Sequence, residues 1–441
     1  PLATVVIGGL ITATILTLLV IPVLYIIFTK GRMQINAAIP KIVTLLCTVF
    51  LTQLVWAQNA MLPARISFDA AYDTALRNNL QLVSSDLQIQ RSKTLRGTWL
   101  DVPKTGIFAE NEDISPRETR GVLKIGVSQS IEWFGLYKAK KNLLQEQAKS
   151  MEISKQIKVI ELKRDVQMAY YTLWYLQSKQ ILWLRLDSIY TALAKASALR
   201  VKTGESAGLD SIAASASARE INVQLSLFQW DVQTQQENLK KFMGTSTSYL
   251  PELNTVNRVE ASFLDTVSGE HPQLQWQQQM ISIARAETDV QIQSRKPNFE
   301  GRFFSQRLYG LSNPYSGFSV SMGVPLFGYN TNRNKVKAAK LGRDYQQSIF
   351  DYEKLLLGTN YKQAYQQLQK DLVLLKYYEQ TGLIQADAMI KAANLAYRGG
   401  EISFAELAQY LTQATDIQKR HLDVLNQFNQ TAIQLNYFLN K

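Results

Sequence analysis

Two stretches of about 70 residues, Phe134–Lys202 and Asn330–Arg398, set the scale of this chain. The first contains no proline, and as a single helix either would run ~100 Å at ~1.5 Å per residue. A rod of that length does not fit inside a compact domain. Leu162, Val166, Ala169, Leu173 and Leu176 step 4, 3, 4, 3, which is coiled-coil spacing. Gly204 and Gly208 break the first rod, and Gly399-Gly400 the second. A return helix is expected after each. One covers about Leu209–Met243, with Val223, Leu227 and Trp230 on one stripe. The other runs Phe404–Leu439, with Leu425, Phe428, Ala432, Leu435 and Leu439 stepping 3, 4, 3, 4.

Each rod follows a strand. In Gly121–Ile131, Leu123, Ile125, Val127 and Ile131 alternate with Lys124, Gly126, Ser128 and Ser130. In Ser316–Val324, Phe318, Val320, Met322 and Val324 alternate with Ser319, Ser321 and Gly323. Pro325 ends the second ladder because it has no N–H to donate. The strand-to-helix junctions, Phe134-Gly135 and Phe327-Gly328, lie 193 residues apart. Leu80-Gln81-Leu82 and Pro272-Gln273-Leu274 are 192 apart, Pro103 and Pro297 194, and Gly204-Glu205 and Gly400-Glu401 196. Landmarks in one order at one interval indicate a duplicated unit, far longer than the ~20–50 residues of a solenoid repeat. Each unit is expected to hold a leading helix, two strands, and the long helix with its return. The leading helices are Ser67 to about Leu100 and Pro272–Lys296; the added strands are about Thr105–Glu110 and Phe299–Tyr309.

The resulting divisions are a first repeat at 58–243, a polar inter-repeat linker at 244–270, and a second repeat at 271–441. Ahead of them lie two apolar runs. Pro1–Phe28 carries no charge and is long enough to span a bilayer. Lys30 and Arg32 follow, which places that end in the cytoplasm. PLATVVIGGLITATILTLLVIPVLY resembles the last transmembrane helix of heavy-metal efflux pumps of the resistance–nodulation–division family, so residues 1–32 read as a pump-like tail. A natural fusion and a gene-boundary artefact both fit. Residues 33–57 form a shorter apolar segment, opening at Met33 and ending in Val55-Trp56-Ala57. It reads as a signal peptide or a retained membrane anchor. Residues 1–57 are therefore in the inner membrane or removed, and either way the rest of the chain lies beyond that membrane.

Four strands cannot close a barrel, and an open sheet in lipid leaves edge N–H and C=O groups unsatisfied. The smallest membrane barrels have ~8 strands. If these strands cross a membrane the barrel is shared, and three chains give twelve; a soluble four-stranded sheet is the alternative. The faces suit a barrel, with Ser, Gly and Lys inward and Leu, Ile, Val and Phe outward. Trp133, Phe303, Phe304, Tyr309 and Tyr315 fall where aromatic girdles belong.

The whole layout, with RVKTGESAGLDSIAASASA (200–218) and YRGGEISFAELAQYLTQA (397–414) at the helix ends, resembles the outer-membrane efflux protein (TolC) family over about residues 66–441. The fold class implied is mainly α with a small β part: a two-repeat protomer giving four strands to a twelve-stranded transmembrane barrel, continued by a helical tunnel into the periplasm. The resemblance implies a homotrimer in outer-membrane lipid, working with a periplasmic adaptor and an inner-membrane pump. It makes Gly204, Gly208, Leu209, Gly400 and Ser403 partner-contacting helical tips. It makes Phe134, Gly135, Pro325, Phe327 and Gly328 the barrel-to-helix junction. Glu406 falls at the family's periplasmic constriction, with Asp210 as its first-repeat counterpart. Gln409 stands where a further acid is common, leaving one acidic ring rather than two. Alternatively, Glu406 and Asp210 are simply first-turn acids favoured by the helix dipole.

Little else carries chemistry. The chain has a +12 formal charge; without the three basic residues of 1–57 the remainder carries +9, dispersed along helices and lacking a nucleic-acid motif. Nucleic acid is therefore not an expected partner. A single Cys47 excludes an internal disulfide and a cysteine-based zinc site. His271 and His421 are far apart, and Met residues show no paired spacing. No P-loop, GxSxG or Rossmann glycine pattern occurs, so no cofactor, metal or enzymatic activity is expected. The function expected is a passive exit duct, with heavy-metal cations the cargo suggested by the pump-like tail. The alternatives are a channel for drug or protein export, or a periplasmic coiled-coil scaffold.

Overall fold

The computed structural model describes residues 64–113, 121–204, 207–253, 258–263, 271–308, 312–325 and 328–441. The pump-like tail, the signal or anchor segment, Cys47, Tyr309 and Phe327 lie outside them.

In chain order the elements are β1 Ala64–Ile66, α1 Phe68–Asn78, α2 Leu80–Leu95, β2 Gly106–Glu112, β3 Val122–Ile131, α3 Phe134–Lys202 and α4 Gly208–Met243. There follow β4 Tyr249–Pro251, α5 Pro272–Gln293, β5 Asn298–Leu308, β6 Tyr315–Gly323, α6 Tyr329–Tyr377, α7 Leu383–Gly399 and α8 Phe404–Phe438. β2, β3, β5 and β6 form one antiparallel sheet in that order. β2 and β6 are its two edges, each paired on one side only among the described residues.

The sheet has one mainly apolar and one mainly polar face, although Arg307 and Ser305 fall on the first and Val122 and Leu308 on the second. Ile107, Val127, Phe303 and Phe318 share one row across all four strands. Ile125, Ile131, Val320 and Met322 extend that face, and it is open: Ile107 is 85% exposed, Phe318 81% and Val320 73%. The opposite face carries Glu110, Glu112, Lys124, Ser128, Glu300, Arg302, Ser319 and Ser321. Two of the expected girdle aromatics belong to this polar face instead. Phe304 pairs with Gly126 on one side and Gly317 on the other; its ring occupies the space a Gly317 side chain would need, while its Cβ and backbone close on Gly126. Tyr315 pairs with Gln306. Phe303 is on the apolar face as expected, and Trp133 stacks on Phe299 there, with ring centroids 6.3 Å apart.

The helices extend away from the sheet. α3 is one helix of 69 residues, and the 36 residues of α4 pack back along it. α8 returns against α3, α6 and α7. Buried residues gather into three apolar clusters. One joins Ala71, Val166, Leu173, Leu239 and Met243. A second joins Leu368, Leu375, Leu425, Ile433 and Leu435, and a third near the tips joins Leu186, Ala386, Leu407, Leu411 and Ala414. The coiled-coil positions of α3 and α8 are the buried ones, as their spacing required, except that Leu176 is half-buried. On α4 the stripe Val223, Leu227 and Trp230 faces outward, and Ile221, Leu225 and Phe228 turn inward.

Three local features depart from the periodicity. The leading helix of the first repeat breaks at Asn79, whose backbone is extended (φ −66°, ψ 118°). Its side-chain Oδ1 accepts from the Gln81 N–H and its Nδ2 donates to the Phe242 carbonyl, so one residue ends α1, starts α2 and ties both to α4. The segment 244–270 is not only connection: β4 pairs in parallel with β1. Further on, Val259 N–H donates to Asn429 Oδ1 and Ser262 N–H to Asn436 Oδ1, which lashes that segment to α8. The second rod is interrupted by a π-helical turn at Tyr378–Gly382, where Leu383 N–H reaches back to the Tyr378 carbonyl. Gly382 sits there close against Ile417 of α8.

Because Leu368 is fully buried between α6 and α8, Leu368→Ala is expected to cost ~2–5 kcal/mol and lower the thermal midpoint of the helical signal. An unchanged midpoint, followed by circular dichroism, would contradict this packing.

Candidate aperture at the helical tips

Both hairpin tips are built from a left-handed glycine and a helix start. α3 ends with Thr203 at its C-cap, and Gly204 follows at φ +78°. α7 ends with Gly400 at φ +76°, its N–H donating to the Tyr397 carbonyl. Only glycine adopts that backbone cheaply, which is why a glycine closes each descending helix. α4 opens after Ala207, with Gly208 and Leu209 in its first turn and Leu209 exposed.

α8 opens more firmly. Ser403 Oγ accepts from the Glu406 N–H at 3.3 Å, and Glu406 Oε2 accepts from the Ser403 N–H and hydroxyl at 2.8 Å each. This is a complete capping box. The Ser403 N–H, then its hydroxyl, hold the exposed Glu406 carboxyl below the usual carboxylate range. Gln409 lies one turn on, also exposed, while Leu407 and Leu411 are fully buried on the other side. Glu406 and Gln409 thus share the open side of α8. Asp210 is half-buried in the first turn of α4, and no hydrogen bond or ion pair joins it to either of them.

The tips are held to one another by residues the sequence did not single out. The Arg200 guanidinium of α3 lies over the Tyr397 ring of α7, 4.7 Å from its centroid. Tyr397 in turn meets Phe404 edge-on at 6.4 Å. Further up, Tyr175 donates to Asp423 Oδ1 at 2.5 Å and Lys179 Nζ donates to the same oxygen at 3.0 Å, linking α3 to α8. Burial first, and the Asp423 carboxylate second, push the Tyr175 phenol well above its ordinary range.

At the other end of the rod, Phe134 is the first residue of α3 and is exposed. Gly135 leaves room for Gln293 Oε1 and the Trp133 indole. Pro325 follows the end of β6, and Gly328 caps α6, accepting from the Asn332 N–H through its carbonyl.

Neither histidine belongs to a ligand set. His271 is buried at the N-cap of α5; its Nδ1 accepts from the Gln273 N–H and its Nε2 faces the Tyr437 carbonyl at 3.2 Å. Burial pushes its pKa down. Among the described residues no three His, Cys, Asp or Glu side chains converge as a metal site would need.

Residues 263–441 match the family model described as outer membrane efflux protein. The described chain superposes on CusC, known from crystal structures that follow folding and transmembrane channel formation, with a TM-score of 0.72 at 14% identity, covering 86% of this chain and 92% of that one. It superposes on the Campylobacter jejuni CmeC outer membrane channel with a TM-score of 0.72 at 12% identity, covering 84% and 85%. For the open Neisseria gonorrhoeae MtrE outer membrane channel the values are 0.68 and 14%, covering 84% and 88%. The fold is TolC-like. No curated protein sequence matches the chain. The TolC-like fold gives the tips their meaning: they are the far end of the helical rods, and the two-faced sheet is the near end.

Since the capping box fixes the first turn of α8, Ser403→Ala is expected to speed amide hydrogen exchange there by about fivefold while leaving α6 unchanged. The Glu406 half of the box is present above the ordinary carboxylate pKa and lost as pH falls through the lowered value of the folded protein. Amide protection in the first turn of α8, measured against the intrinsic exchange rate at each pH, should therefore fall on acidification below the ordinary carboxylate range in the wild-type protein and much less in Ser403→Ala. Equal pH dependence in the two would contradict it.

Proposed function

We propose that this chain is the outer-membrane exit duct of a tripartite efflux system. Three copies share one barrel and one helical tunnel. The tips engage a periplasmic adaptor and an inner-membrane pump.

The observation that carries this reading is the open four-stranded sheet: mainly apolar and exposed on one face, mainly polar on the other, with each edge strand paired on one side only among the described residues. A lipid-facing band outside and a polar lining inside is the pattern of membrane barrels. Three such sheets placed edge to edge, β6 of one beside β2 of the next, give twelve strands and no free edge. The helices offer matching faces. Tyr345, Tyr352, Val373, Tyr377, Ile384 and Leu395 are exposed along α6 and α7, and Leu209, Ile212, Val223, Leu227 and Trp230 along α4. Apolar surface of that extent is suited to burial between protomers.

Within that assembly Glu406 forms a ring of three carboxylates at the aperture, with Gln409 beside it and Asp210 on the neighbouring hairpin. Gly204, Gly208, Leu209, Gly400 and Ser403 present the tips to the adaptor, and Pro325, Phe327, Gly328, Phe134 and Gly135 join barrel to tunnel. Heavy-metal cations are the proposed cargo, because residues 1–28 resemble the last helix of a heavy-metal pump. The duct itself needs no cofactor: flow through it is passive.

In planar bilayers the detergent-purified chain is expected to give discrete, long-lived conductance steps, and no channel activity would contradict the reading. Glu406→Ala is expected to weaken block by divalent cations at least severalfold from the periplasmic side, since it removes three carboxylates at once. Unaltered block would take Glu406 out of the aperture. Loss of the gene should raise sensitivity to metals; raised sensitivity to organic drugs alone would move the cargo to another class.

A further inference from the structure

We propose that Arg302 is a positioning residue: it clamps the edge strand β2 across β3 so that β2 can receive the neighbouring protomer. The proposal rests on the shared barrel argued above.

β2 is the weakest part of the sheet. It is seven residues long, it pairs on one side only, and Gly106 gives it no packing surface at its start. On the polar face its side chains are Phe108, Glu110 and Glu112. Each is held by a cation from a more central strand. Arg302 of β5 donates from Nη1 to Glu110 Oε1 at 2.8 Å, and its guanidinium lies 5.0 Å from the Phe108 ring centroid. Its Nε reaches Glu300 Oε1 at 3.3 Å. Lys124 of β3 donates to Glu112 Oε2 at 2.5 Å and lies 5.7 Å from the Phe304 ring.

The reach of Arg302 depends on what lies between. β3 separates β5 from β2; Arg302 lies in the row of Ser128 and Glu110 in the row of Lys124, so the guanidinium passes over Ser128 and Gly126 to reach it. A large side chain at either would stand in the path. A planar guanidinium can serve a carboxylate on each side and a ring beneath together, which an ammonium cannot.

With both β2 carboxylates neutralised inside the protomer, the outer backbone groups of β2 are held in line for β6 of the next copy. The same acids in free form would repel one another and let the edge fray. Any loss at one junction recurs at all three, because the assembly is symmetric.

The test is trimer yield from the full detergent-solubilised chain, read by native mass, for Glu110→Gln, Arg302→Ala, Arg302→Lys and the double variant, with helical content as a parallel readout. A drop of about fivefold per junction, on the order of a hundredfold over three, is expected for Arg302→Ala and Glu110→Gln, with helical content unchanged. Arg302→Lys is expected to fall between, and the double variant to be no worse than Arg302→Ala, because each single variant already removes the shared Arg302–Glu110 bond. Normal trimer yield in both single variants would overturn the clamp, even with altered ion selectivity, since the cluster would then be lumen charge alone. Additive losses in the double variant, or loss of helical content in Glu110→Gln, would also overturn it. A wild-type chain that is itself monomeric would overturn the shared barrel and the clamp with it.

Discussion

A β-strand with lipid on its far side cannot leave its backbone groups unpaired, because each unsatisfied N–H or C=O costs several kcal/mol in hydrocarbon. Among the described residues the sheet has two edges, β2 and β6, and an open apolar face, so the proposed place in a membrane puts both under this constraint. No rearrangement within one protomer resolves this, since four strands are too few to curl into a cylinder. Copies of the chain are the natural source of the missing strands. In the proposed assembly the same step would also cover the exposed apolar stripes of α4, α6 and α7, so sheet and rods make a single demand.

The rods carry that demand far from the sheet. α3 is continuous from the sheet to the tip, so any tilt at one end is transmitted to the other. The packing along it is not uniform. One apolar cluster sits around Leu368 and Leu435 and another around Leu407 and Ala386, and the bonds of Tyr175 and Lys179 to Asp423 join α3 to α8. The π-turn at Tyr378–Gly382 precedes α7 in the second rod. At the tip, backbone chemistry takes over: left-handed glycines close the descending helices, and the Ser403–Glu406 box starts the ascending one. The two readings of Glu406, cap and aperture, are compatible. Oε2 is bound to Ser403, and the side chain as a whole remains on the open surface.

The long helices and the strand faces were legible because their periodicities are physical consequences of burial: Val166 and Leu173 are inward for the reason they are apolar. What the sequence hid depends on partners distant along the chain. Asn79 looks like an ordinary polar residue until Phe242 supplies a carbonyl for it. Phe304 looks like a girdle residue until its neighbours prove to be Gly126 and Gly317. Val223, Leu227 and Trp230 form a genuine stripe whose outward direction no pattern within α4 could fix. Nothing in the sequence marked the π-turn, since Gly342 and Gly358 stand in the same run without one. The tip glycines were plain from position, whereas the Arg200–Tyr397 stack joins residues nearly two hundred apart and left no local mark.

The central claim concerns which strand meets which, and cross-linking reads it directly. The region beyond residue 57 has no cysteine of its own, so Ala109→Cys on β2 combined with Val320→Cys on β6, and neighbouring pairs along both edges, report strand contact without background. In outer membranes, oxidation should yield covalent dimers and trimers and nothing larger. Cross-linking confined to single chains, or ladders running beyond three, would contradict a barrel closed by three identical protomers.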